Sequence, residues 1–574
     1  MWQDAVAEQR EGPAYLVEGP EGWREVSWPE AAQAVDELAH GLLALGVKKG
    51  DAFGILGHTM LEWVLFDFAL AHVGATAAPI YPSSSPADSR HILDDSAAVG
   101  VLVESDDDLP LIEGADLEHV LTFAGLEQLR AKGREHAAAN PNALAEATGH
   151  VGEDDLFTFI YTSGTTGPPK GCMILNRNYY EMCRSAALAQ DFLRSDDVLA
   201  LYLPLAHNFG RYMHLLGAFI GFTVAFCPDP RRLGEVMPAV RPTVLPTVPR
   251  VLERVHTAVT ASFGEATGVK RRLIDWSLAV GERASKRRMR GQPLPPALAV
   301  QHKLADRLVY SKVKARLGGR IRAVISGGAP LAVEIGEFFH KLDITILEGY
   351  GQTEGTTASN CNLPGNIKLG TVGPPLPNIE VAIADDGEIL LRGPTMFAGY
   401  WNNEEATQTA LPGDGWLHTG DVGTIDEDGF LTVTDRKKDI IVTAGGKNVS
   451  PQNIENALKA LPLISQALVV GDRRPFLTAL LTLDPDELGK WAAGQGLDGD
   501  VGELSQRDDV RELVARAVED ANSGLARFEQ IRSWTILPRD FSAEEGEVTP
   551  TLKLKRRICE QHFADEIEGL YAGQ

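Results

Sequence analysis

The stretch "YTSGTTGPPKG" (Tyr161–Gly171) decides how the rest of the chain is interpreted. It continues the apolar run "LFTFIYT", which is typical of a buried β-strand. Small residues let the backbone approach a bulky ligand, hydroxyl and N–H groups donate hydrogen bonds to oxyanions, and Lys170 adds a positive charge. The stretch therefore predicts a phosphate-binding turn at the end of a strand, although the same residue types also occur in ordinary surface turns.

The turn does not match the phosphate loop of the P-loop NTPases. In that motif, G-x-x-x-x-G-K-[ST], a glycine precedes the lysine and a Mg²⁺-binding hydroxyl follows it. Here Pro169 precedes Lys170, and Gly171 stands where the serine or threonine would be. The sequence therefore predicts phosphate binding by a different architecture.

The length and composition indicate a globular protein with more than one domain. The chain has 574 residues, of which 44% are hydrophobic, and its formal net charge of −25 argues against nucleic acid as the main partner. Residues 270–320 differ from this average, because they carry fourteen Lys or Arg and only three Asp or Glu, a net charge of +11. This basic segment is either a solvated helical face or a surface that attracts anionic lipid or the phosphates of a ligand.

The cysteines and apolar runs indicate where the protein works. The five cysteines are scattered and form no C-x-x-C pair, so neither a disulfide framework nor a zinc site is indicated. The N-terminus is polar, and the longest apolar run, which begins at Met213, is too short to span a bilayer. We expect a cytoplasmic protein, with peripheral contact to a membrane through the basic segment as an additional expectation.

Along the chain, the pattern of elements changes twice. The first part alternates helices and apolar strands, which predicts parallel α/β layers. From about Gly373, short strands separated by D-G and G-D turns predict antiparallel β structure, and from about Ser450 the pattern predicts a small α+β unit. A domain boundary is expected near 435–438, and the polar region 494–509 is expected to be a loop.

Four further stretches carry candidate chemistry: "SGGAP" (326–330), "EGYGQTE" (348–354), "WLHTGD" (416–421) and "DRKKD" (435–439). The first would let a flat ring lie against the backbone, and Tyr350 in the second would stack on a base. Glu354 would hold Mg²⁺ beside phosphates, and Asp421 suits a ribose diol. Taken singly, these are also read as a β-turn, a capping aspartate and a solvated charge run. Taken together, and without a Rossmann G-x-G-x-x-G, they predict an ATP site of another kind.

In combination, these stretches resemble the motifs of the adenylate-forming family of acyl-CoA synthetases, luciferases and non-ribosomal adenylation domains. The resemblance covers nearly the whole chain. It implies an α/β fold with a large N-terminal domain (1–436) of stacked α/β layers plus a β subdomain. A small, mobile α+β C-terminal domain (437–574) would follow.

The resemblance also implies the residues of the ATP and AMP site. Thr353 would contact the α-phosphate, whereas Glu354 and Thr165 would hold Mg²⁺. The remaining nucleotide-binding residues would be Thr162, Ser163, Gly164, Thr165, Thr166, Gly167, Lys170, Gly327, Gly328, Ala329, Glu348, Gly349, Tyr350, Asp421 and Arg436.

The C-terminal region resembles the family in three places. Lys438 matches the family's hinge position, and Gly445, Gly446 and Lys447 in "AGGKNVSP" would border the CoA channel. In "TPTLKLKRR", Lys553 aligns with the catalytic lysine that contacts the acyl carboxylate and the α-phosphate. Lys555 is a nearby alternative, and Leu552 replaces the glycine that is commoner in the family.

The stretch "YLPLAHNFGR" (202–211) resembles the acyl-pocket motif of the long-chain fatty acyl-CoA synthetases. His207 would lie near the carboxylate or gate the pocket, or else is a packed histidine. The resemblance implies ATP-dependent activation of a fatty acid to acyl-AMP, followed by transfer to CoA, with ATP, Mg²⁺ and CoA as cofactors. The alternatives are a ligase for medium-chain or aromatic acids, an acyl-AMP ligase that loads a carrier protein, and a non-catalytic acyl-nucleotide binder.

Overall fold

The apolar run before the phosphate turn is a β-strand (Leu156–Thr162) in the computed structural model of the protein. The structure describes residues 2–8, 10, 12–162, 168–189, 192–459, 461, 463–542, 545–549 and 553–572. These residues divide into two compact units, which are described separately below. The first contains residues 1–382, 390–419 and 425–431, and the second contains residues 383–389, 420–424 and 432–574.

The strands are numbered in chain order. The first fourteen are β1 (Tyr15–Gly19), β2 (Gly22–Val26), β3 (Ala52–Leu56), β4 (Thr76–Ile80), β5 (Ala98–Val103), β6 (His119–Thr122), β7 (Leu156–Thr162), β8 (Lys170–Leu175), β9 (Val198–Leu201), β10 (Thr223–Phe226), β11 (Val244–Thr247), β12 (Ala323–Ser326), β13 (Ile346–Tyr350) and β14 (Asn360–Cys361). The others are β15 (Glu380–Ile383), β16 (Glu388–Arg392), β17 (Leu417–Ile425), β18 (Leu431–Arg436), β19 (Ile441–Val442), β20 (Asn448–Val449), β21 (Ile464–Val470), β22 (Leu477–Leu483) and β23 (Ile531–Ile536).

The α-helices are numbered in the same way. Up to residue 341 they are α1 (Trp2–Ala7), α2 (Trp28–Ala44), α3 (Leu61–Val73), α4 (Pro86–Asp95), α5 (Leu126–Ala139), α6 (Ala143–Gly149), α7 (Asn176–Ala189), α8 (Asn208–Ile220), α9 (Leu233–Val240), α10 (Pro249–Gly264), α11 (Gly268–Arg288), α12 (Pro296–Ala305), α13 (Ser311–Arg316) and α14 (Val333–Lys341). They continue as α15 (Glu404–Ala410), α16 (Pro451–Leu458), α17 (Pro485–Gly494), α18 (Val501–Ser505), α19 (Asp508–Ser523), α20 (Arg556–His562) and α21 (Ala564–Tyr571).

Two large sheets organise the first unit. One has eight strands in the order β14-β13-β12-β11-β9-β10-β1-β2, and the other has six in the order β6-β5-β3-β4-β7-β8. The pairs from β13 through β12, β11, β9 and β10 to β1 are parallel, as are those from β6 through β5, β3 and β4 to β7. Parallel strands covered on both faces are apolar throughout, and all five residues of β3 and of β4 are buried. The predicted α/β layers are confirmed.

The remaining sheets are smaller. β15 to β18 form a four-stranded sheet in chain order, β19 and β20 form a short antiparallel pair, and β21 to β23 form a three-stranded sheet. In the second unit, β21 to β23 share a hydrophobic core with residues of the flanking helices, including Leu458, Leu488 and Val514. The predicted α+β unit is confirmed, and β19 and β20 form an antiparallel pair as expected, whereas β17, with nine residues, is longer than the short strands predicted there.

The expectation of a loop across 494–509 was wrong. Residues 501–505 form the short helix α18, and α19 begins at Asp508. The Asp500 side chain caps α18 by accepting a hydrogen bond from the backbone N–H of Glu503, and Leu504 is buried. A polar segment therefore becomes helical because it has a cap and one apolar anchor.

Two sequence-based expectations about cysteines and apolar runs can be compared with the structure. All five cysteines are free and buried. Among the described residues, no helix combines the length and the apolar character needed to cross a membrane.

Candidate active site

The phosphate turn connects the two strands of a β-hairpin. β7 and β8 are antiparallel, and Thr162 at the end of β7 is paired with Lys170 at the start of β8. The His91 Nε2–H group donates a hydrogen bond to the Pro169 carbonyl (2.9 Å), which fixes the exit of the turn. Thr162 and Lys170 are thus held at its two ends, whereas Ser163, Gly164, Thr165, Thr166 and Gly167 lie outside the described residues.

A glycine shelf follows β12 in the eight-stranded sheet. The Gly327 N–H group donates a hydrogen bond to the Thr247 carbonyl (3.1 Å), which holds the shelf at the end of the neighbouring strand β11. A Cβ atom at Gly327 would lie 3.5 Å from the Phe209 ring, and Gly328 has a φ of +83°, a conformation that favours glycine. Gly327, Gly328 and Ala329 therefore lie where ligands bind in open α/β sheets, outside the carboxyl ends of the strands.

The carboxyl group of Glu348 lies beside this shelf. Glu348 is in β13, directly opposite Ser326 of β12, and Gly349 and Tyr350 complete the strand. The side chain is 7% exposed, and its Oε1 atom has no hydrogen-bond partner among the described residues. Burial raises the pKa of Glu348 to about 7. The group is therefore poised to be neutral or charged near physiological pH.

Glu354 and Lys170 converge on one tyrosine. Thr353 and Glu354 begin a short 3₁₀ turn after β13, and the Tyr400 hydroxyl donates a hydrogen bond to Glu354 Oε1 (2.6 Å). The Lys170 Nζ atom lies 5.3 Å from the centre of the Tyr400 ring. The structure therefore brings a cation and a carboxylate from two separate motifs to opposite parts of the same side chain.

Glu354 and Lys170 fit a magnesium site in which nucleotide phosphates supply some of the ligands. Mg²⁺ in nucleotide sites is usually held by one or two carboxylates together with the phosphate oxygens and water, rather than by a cage of protein ligands. Glu354 supplies such a carboxylate near Lys170. Within the described part of the chain, no group of three or more His, Cys, Asp or Glu side chains is arranged to hold a metal ion.

His207 is the N-cap residue of α8. Its Nδ1 atom accepts a hydrogen bond from the Phe209 N–H group (3.1 Å), so the neutral ring carries its proton on Nε2. Phe209 in turn reaches the glycine shelf at Gly327. The helix start thus holds the His207 ring beside Phe209, and its place near the acyl pocket stays a prediction.

The sequence did not predict a buried ion pair that involves Arg211 in α8, the helix that His207 caps. Arg211, one turn into α8, donates hydrogen bonds to both carboxylate oxygens of Asp67 in α3, and the two side chains are 0% and 1% exposed. The Arg211 guanidinium also lies over the rings of Trp63 and Phe157. The aspartate in an otherwise apolar helix was the only sequence signal that could have indicated it.

The ribose candidates lie in the second unit. Asp421 in β17 is buried, and the Nε atom of Arg436, at the end of β18, lies 3.6 Å from its carboxylate. The neighbouring Lys437 forms ion pairs with Asp386 and Glu388. The structure therefore brings Asp421 and Arg436 together, whereas Lys437 serves the packing of the same unit.

The CoA and lysine candidates of the second unit lie on its surface. Gly445, Gly446 and Lys447 form the exposed turn between β19 and β20, and Gly446 has a φ of +71°. Lys438 lies between β18 and β19. Lys553 is exposed, and its backbone forms two hydrogen bonds with Thr549. Its N–H group donates to Thr549 Oγ1, and its carbonyl accepts from the Thr549 N–H group.

Comparison with known proteins identifies the family. The AMP-binding enzyme model matches residues 2–401, and the model of the AMP-binding enzyme C-terminal domain matches residues 438–574. The chain belongs to the AMP-binding enzyme family, which confirms the resemblance found in its motifs.

Curated relatives align over nearly the whole chain. Long-chain-fatty-acid–CoA ligase FadD15 of Mycobacterium bovis is 40% identical over 589 residues, which cover 98% of this chain and 95% of that protein. Human long-chain-fatty-acid–CoA ligase 1 is 31% identical over 592 residues, which cover 95% of this chain and 82% of that protein.

Solved structures share the fold. The anthranilate CoA ligase AuaEII in complex with anthranoyl-AMP superposes with a TM-score of 0.73 at 20% identity, covering 98% of this chain and 96% of that one. The O-succinylbenzoate CoA synthetase MenE of Bacillus subtilis, in complex with ATP and magnesium, gives 0.69 at 22% identity, covering 97% and 98%. The large N-terminal part and the C-terminal part therefore have the architecture of adenylate-forming enzymes.

Proposed function

We propose that the protein is an AMP-forming acid–thiol ligase that converts a long-chain fatty acid to its CoA thioester. In the first step, a carboxylate oxygen of the acid attacks the α-phosphorus of ATP, forming acyl-AMP and releasing pyrophosphate. In the second step, the CoA thiolate attacks the acyl carbon, forming the thioester and releasing AMP. The named relatives that align over nearly the whole chain support this activity.

In the first step, negative charge accumulates around the α-phosphate. Lys170 and Thr162 would hold the phosphates, together with the turn residues between them, and Thr353 would contact the α-phosphate. Mg²⁺ held by Glu354, with Thr165 as a further ligand, would neutralise charge on the phosphates. Lys553 would contact both the acyl carboxylate and the α-phosphate.

The nucleoside would be held by two sets of groups. Gly327 to Ala329 would line the adenine, and Tyr350 would stack on it. Glu348 and Gly349 would complete the adenine pocket. Asp421 would accept hydrogen bonds from the ribose hydroxyls, and Arg436 beside it would hold the same sugar. The 3.6 Å approach of these two side chains supports a shared role.

The second step needs a different set of residues. We propose that the domain boundary lies between residues 436 and 437 and that Lys438 is the hinge, so that 437–574 forms the mobile C-terminal domain. The start of the C-terminal family match at residue 438 supports this boundary. Gly445, Gly446 and Lys447 would then border the CoA channel, where the absence of side chains at the two glycines leaves room for the thiol arm.

The observation that carries the proposed function is the convergence of Lys170 and Glu354 on Tyr400. It supports the proposal, because the candidate phosphate-binding cation and the candidate metal-binding carboxylate lie at the ends of strands from two sheets and contact the same side chain. A protein that only bound an acyl nucleotide would not need this pair, because its task would be stabilisation of the ground state and not of a charged transition state.

One experiment tests the reaction and its acid. Pyrophosphate release from ATP is measured with acids from acetate to oleate and with a few aromatic acids, each with and without CoA. We expect release to be greatest with long chains and CoA to convert the adenylate to a thioester. Maximal release with short or aromatic acids would replace the long-chain assignment, and release without thioester would favour a carrier protein as acceptor. No release with any acid would favour the non-catalytic binder.

We further propose that the protein works in the cytoplasm and contacts anionic membranes through the basic segment. The five buried free cysteines support a reducing compartment. In α12, Val300 and Leu304 are 70% and 49% exposed, and the exposed Lys303 and Arg307 lie beside them. Aliphatic side chains flanked by basic ones are typical of helices that lie in the interface of anionic lipid bilayers.

Vesicle sedimentation tests this membrane contact. We expect binding to vesicles of phosphatidylglycerol and phosphatidylcholine, and loss of binding when Lys303 and Arg307 are both replaced by glutamate. Replacing the exposed Lys48 and Arg90 by glutamate is the matched control and should leave binding intact. Equal binding of all three proteins would refute the proposal that this surface contacts the membrane.

A further inference from the structure

Tyr400 contacts the two residues on which the phosphate and metal chemistry depends, although none of the motifs discussed above includes it. Its hydroxyl donates a hydrogen bond to Glu354 Oε1 (2.6 Å), and the Lys170 ammonium lies 5.3 Å from its ring centre. The ring is close enough for a cation–π interaction, which extends to about 6 Å. The hydroxyl and the ring therefore hold two groups of opposite charge at the same time.

We propose that Tyr400 is a positioning residue that orients the Glu354 carboxylate towards Mg²⁺ and the Lys170 ammonium towards the nucleotide phosphates. This inference rests on the proposed function of the site. It assigns a role in the adenylation step to a residue that contacts neither the substrate nor the metal in the account above.

The backbone around Tyr400 shows how the side chain is fixed. Residues 397–401, here called the clamp segment, run beside β8 and bond to it at both ends. Ala398 and Trp401 donate backbone hydrogen bonds to the carbonyls of Met173 (3.0 Å) and Gly171 (2.8 Å), and the Met173 N–H group donates to Gly399 (2.9 Å). The clamp segment therefore pairs with β8, the return strand of the phosphate turn, through an antiparallel bridge between Tyr400 and Cys172.

The other end of the clamp segment is tied to the metal candidate. The Phe397 N–H group donates a hydrogen bond to the backbone carbonyl of Glu354 (2.8 Å), so both the main chain and the side chain of Glu354 contact this segment. The Tyr400 N–H group donates to Thr407 Oγ1 (2.9 Å), which anchors the turn to α15. The clamp segment thus joins β8 to the Glu354 turn, and Tyr400 lies at the junction.

The Tyr400 hydroxyl is a fixed donor to Glu354. The backbone contacts of the clamp segment hold the residue in place, and its single hydroxyl proton is directed at Glu354 Oε1. A carboxylate that accepts one hydrogen bond from a fixed donor has a defined orientation, and such partners of metal ligands typically change metal affinity 10- to 100-fold when they are removed.

The two contacts of Tyr400 can be separated by mutation. Tyr400→Phe removes the hydroxyl and keeps the ring under Lys170, whereas Tyr400→Leu removes both. Tyr310→Phe is the matched control, since the Tyr310 hydroxyl is also a buried donor in the same unit and donates to the backbone carbonyl of Ser277. Neither residue is a candidate ligand of the nucleotide or the metal, so loss of this bond should not alter magnesium binding.

The test measures binding of a non-hydrolysable ATP analogue by calorimetry, in EDTA and across a magnesium titration. For Tyr400→Phe we expect the half-saturating Mg²⁺ concentration to rise about tenfold while analogue affinity in EDTA stays unchanged. Tyr400→Leu should in addition weaken analogue binding in EDTA about threefold, and Tyr310→Phe should change neither. The same Mg²⁺ shift should appear in pyrophosphate release.

A double-mutant cycle with Glu354→Gln decides whether Tyr400 acts through the carboxylate. If it does, Tyr400→Phe has little further effect on Mg²⁺ dependence once Glu354 is glutamine. An unchanged Mg²⁺ dependence of Tyr400→Phe, or effects of the two substitutions that simply add, would overturn the proposal. If the wild-type protein itself failed to bind the analogue with Mg²⁺, the proposed function of the site would fail instead.

Discussion

The candidate residues of the first unit and the candidate lysine and turn of the second unit differ in how firmly the protein holds them. In the first unit, Glu354 and Lys170 are fixed through Tyr400, and Glu348 is buried in β13. In the second unit, the 445–447 turn and Lys553 are exposed to solvent. Contacts within the first unit therefore hold Glu354 and Lys170 in place, whereas Lys553 and the 445–447 turn lie exposed on the surface of the second.

The largest effect is expected for Lys553→Ala, which tests whether this lysine acts in acyl-AMP formation and not in thioester formation. Loss of a cation from a crowded, anionic transition state should reduce acyl-AMP formation about a thousandfold, or about 4 kcal/mol. Thioester formation from supplied acyl-AMP and CoA should be nearly unchanged. Both half-reactions are measured by quenched-flow with radiolabelled oleate.

Lys555→Ala is the matched control for this substitution, because Lys555 lies two residues away in the same basic stretch. It should retain both half-reactions. A greater loss in Lys555→Ala than in Lys553→Ala would transfer the role to Lys555, and equal loss in both half-reactions of Lys553→Ala would contradict its assignment to adenylation.

The contribution of a buried ion pair to the stability of the first unit is tested at Asp67 and Arg211. Arg211→Met leaves a buried aspartate without its partner and should lower the free energy of unfolding by about 3 kcal/mol. The double variant Asp67→Leu/Arg211→Met removes both charges and should recover most of this loss. Denaturant titration monitored by tryptophan fluorescence measures both values, and equal destabilisation of the two variants would contradict a buried, mutually compensated pair.

The surface turn of the second unit is tested by Gly446→Trp. A bulky side chain at a proposed channel wall should reduce thioester formation about a hundredfold and spare pyrophosphate release. Gly413→Trp is the control, since Gly413 is also exposed, also has a positive φ (+94°) and also has open space around its Cβ position. Loss of pyrophosphate release in Gly446→Trp would show that the turn serves adenylation as well.

The smallest effect concerns the protonation of Glu348. The folded state raises the pKa of this carboxyl from 4.5 to about 7, so it binds the proton more tightly than the unfolded chain does. The contribution of Glu348 to stability is therefore fully present below about pH 4.5 and is lost as the pH rises through about 7. Relative to the wild type, Glu348→Gln should become more stable across this window.

Thermal melts of the wild type and Glu348→Gln between pH 4 and 8 measure this difference. The melting temperatures should diverge in favour of the variant as the pH rises, and the difference should level off above about pH 7.5. A constant difference between the two proteins at every pH would show that Glu348 titrates normally in the folded state.

The sequence predicted those parts of the fold that depend on local patterns. Apolar runs identified β7, β12 and β13, and the glycine-rich stretches after them were correctly placed at strand ends. The loop expected across 494–509 was wrong, because a short capped helix with one buried leucine leaves almost no periodic signal. Local composition therefore located the candidate site but not every element around it.

The residues that the sequence could not identify depend on contacts between distant segments. Tyr400 lies 230 residues from Lys170 in the chain, and Asp67 lies 144 residues from Arg211. A single tyrosine in "FAGYW" or a single aspartate in an apolar helix has no spacing that reveals its partner. Such pairs become visible only when the sheet order brings β8 beside the clamp segment and α8 beside α3.

The most direct test of the central claim is a single-turnover experiment with the wild-type protein, radiolabelled oleate and MgATP, to which CoA is added after a delay. We expect oleoyl-AMP to accumulate with one equivalent of pyrophosphate before the addition, and oleoyl-CoA and AMP to replace it afterwards. If neither oleoyl-AMP nor pyrophosphate formed before or after the addition of CoA, the proposed two-step ligase would be contradicted.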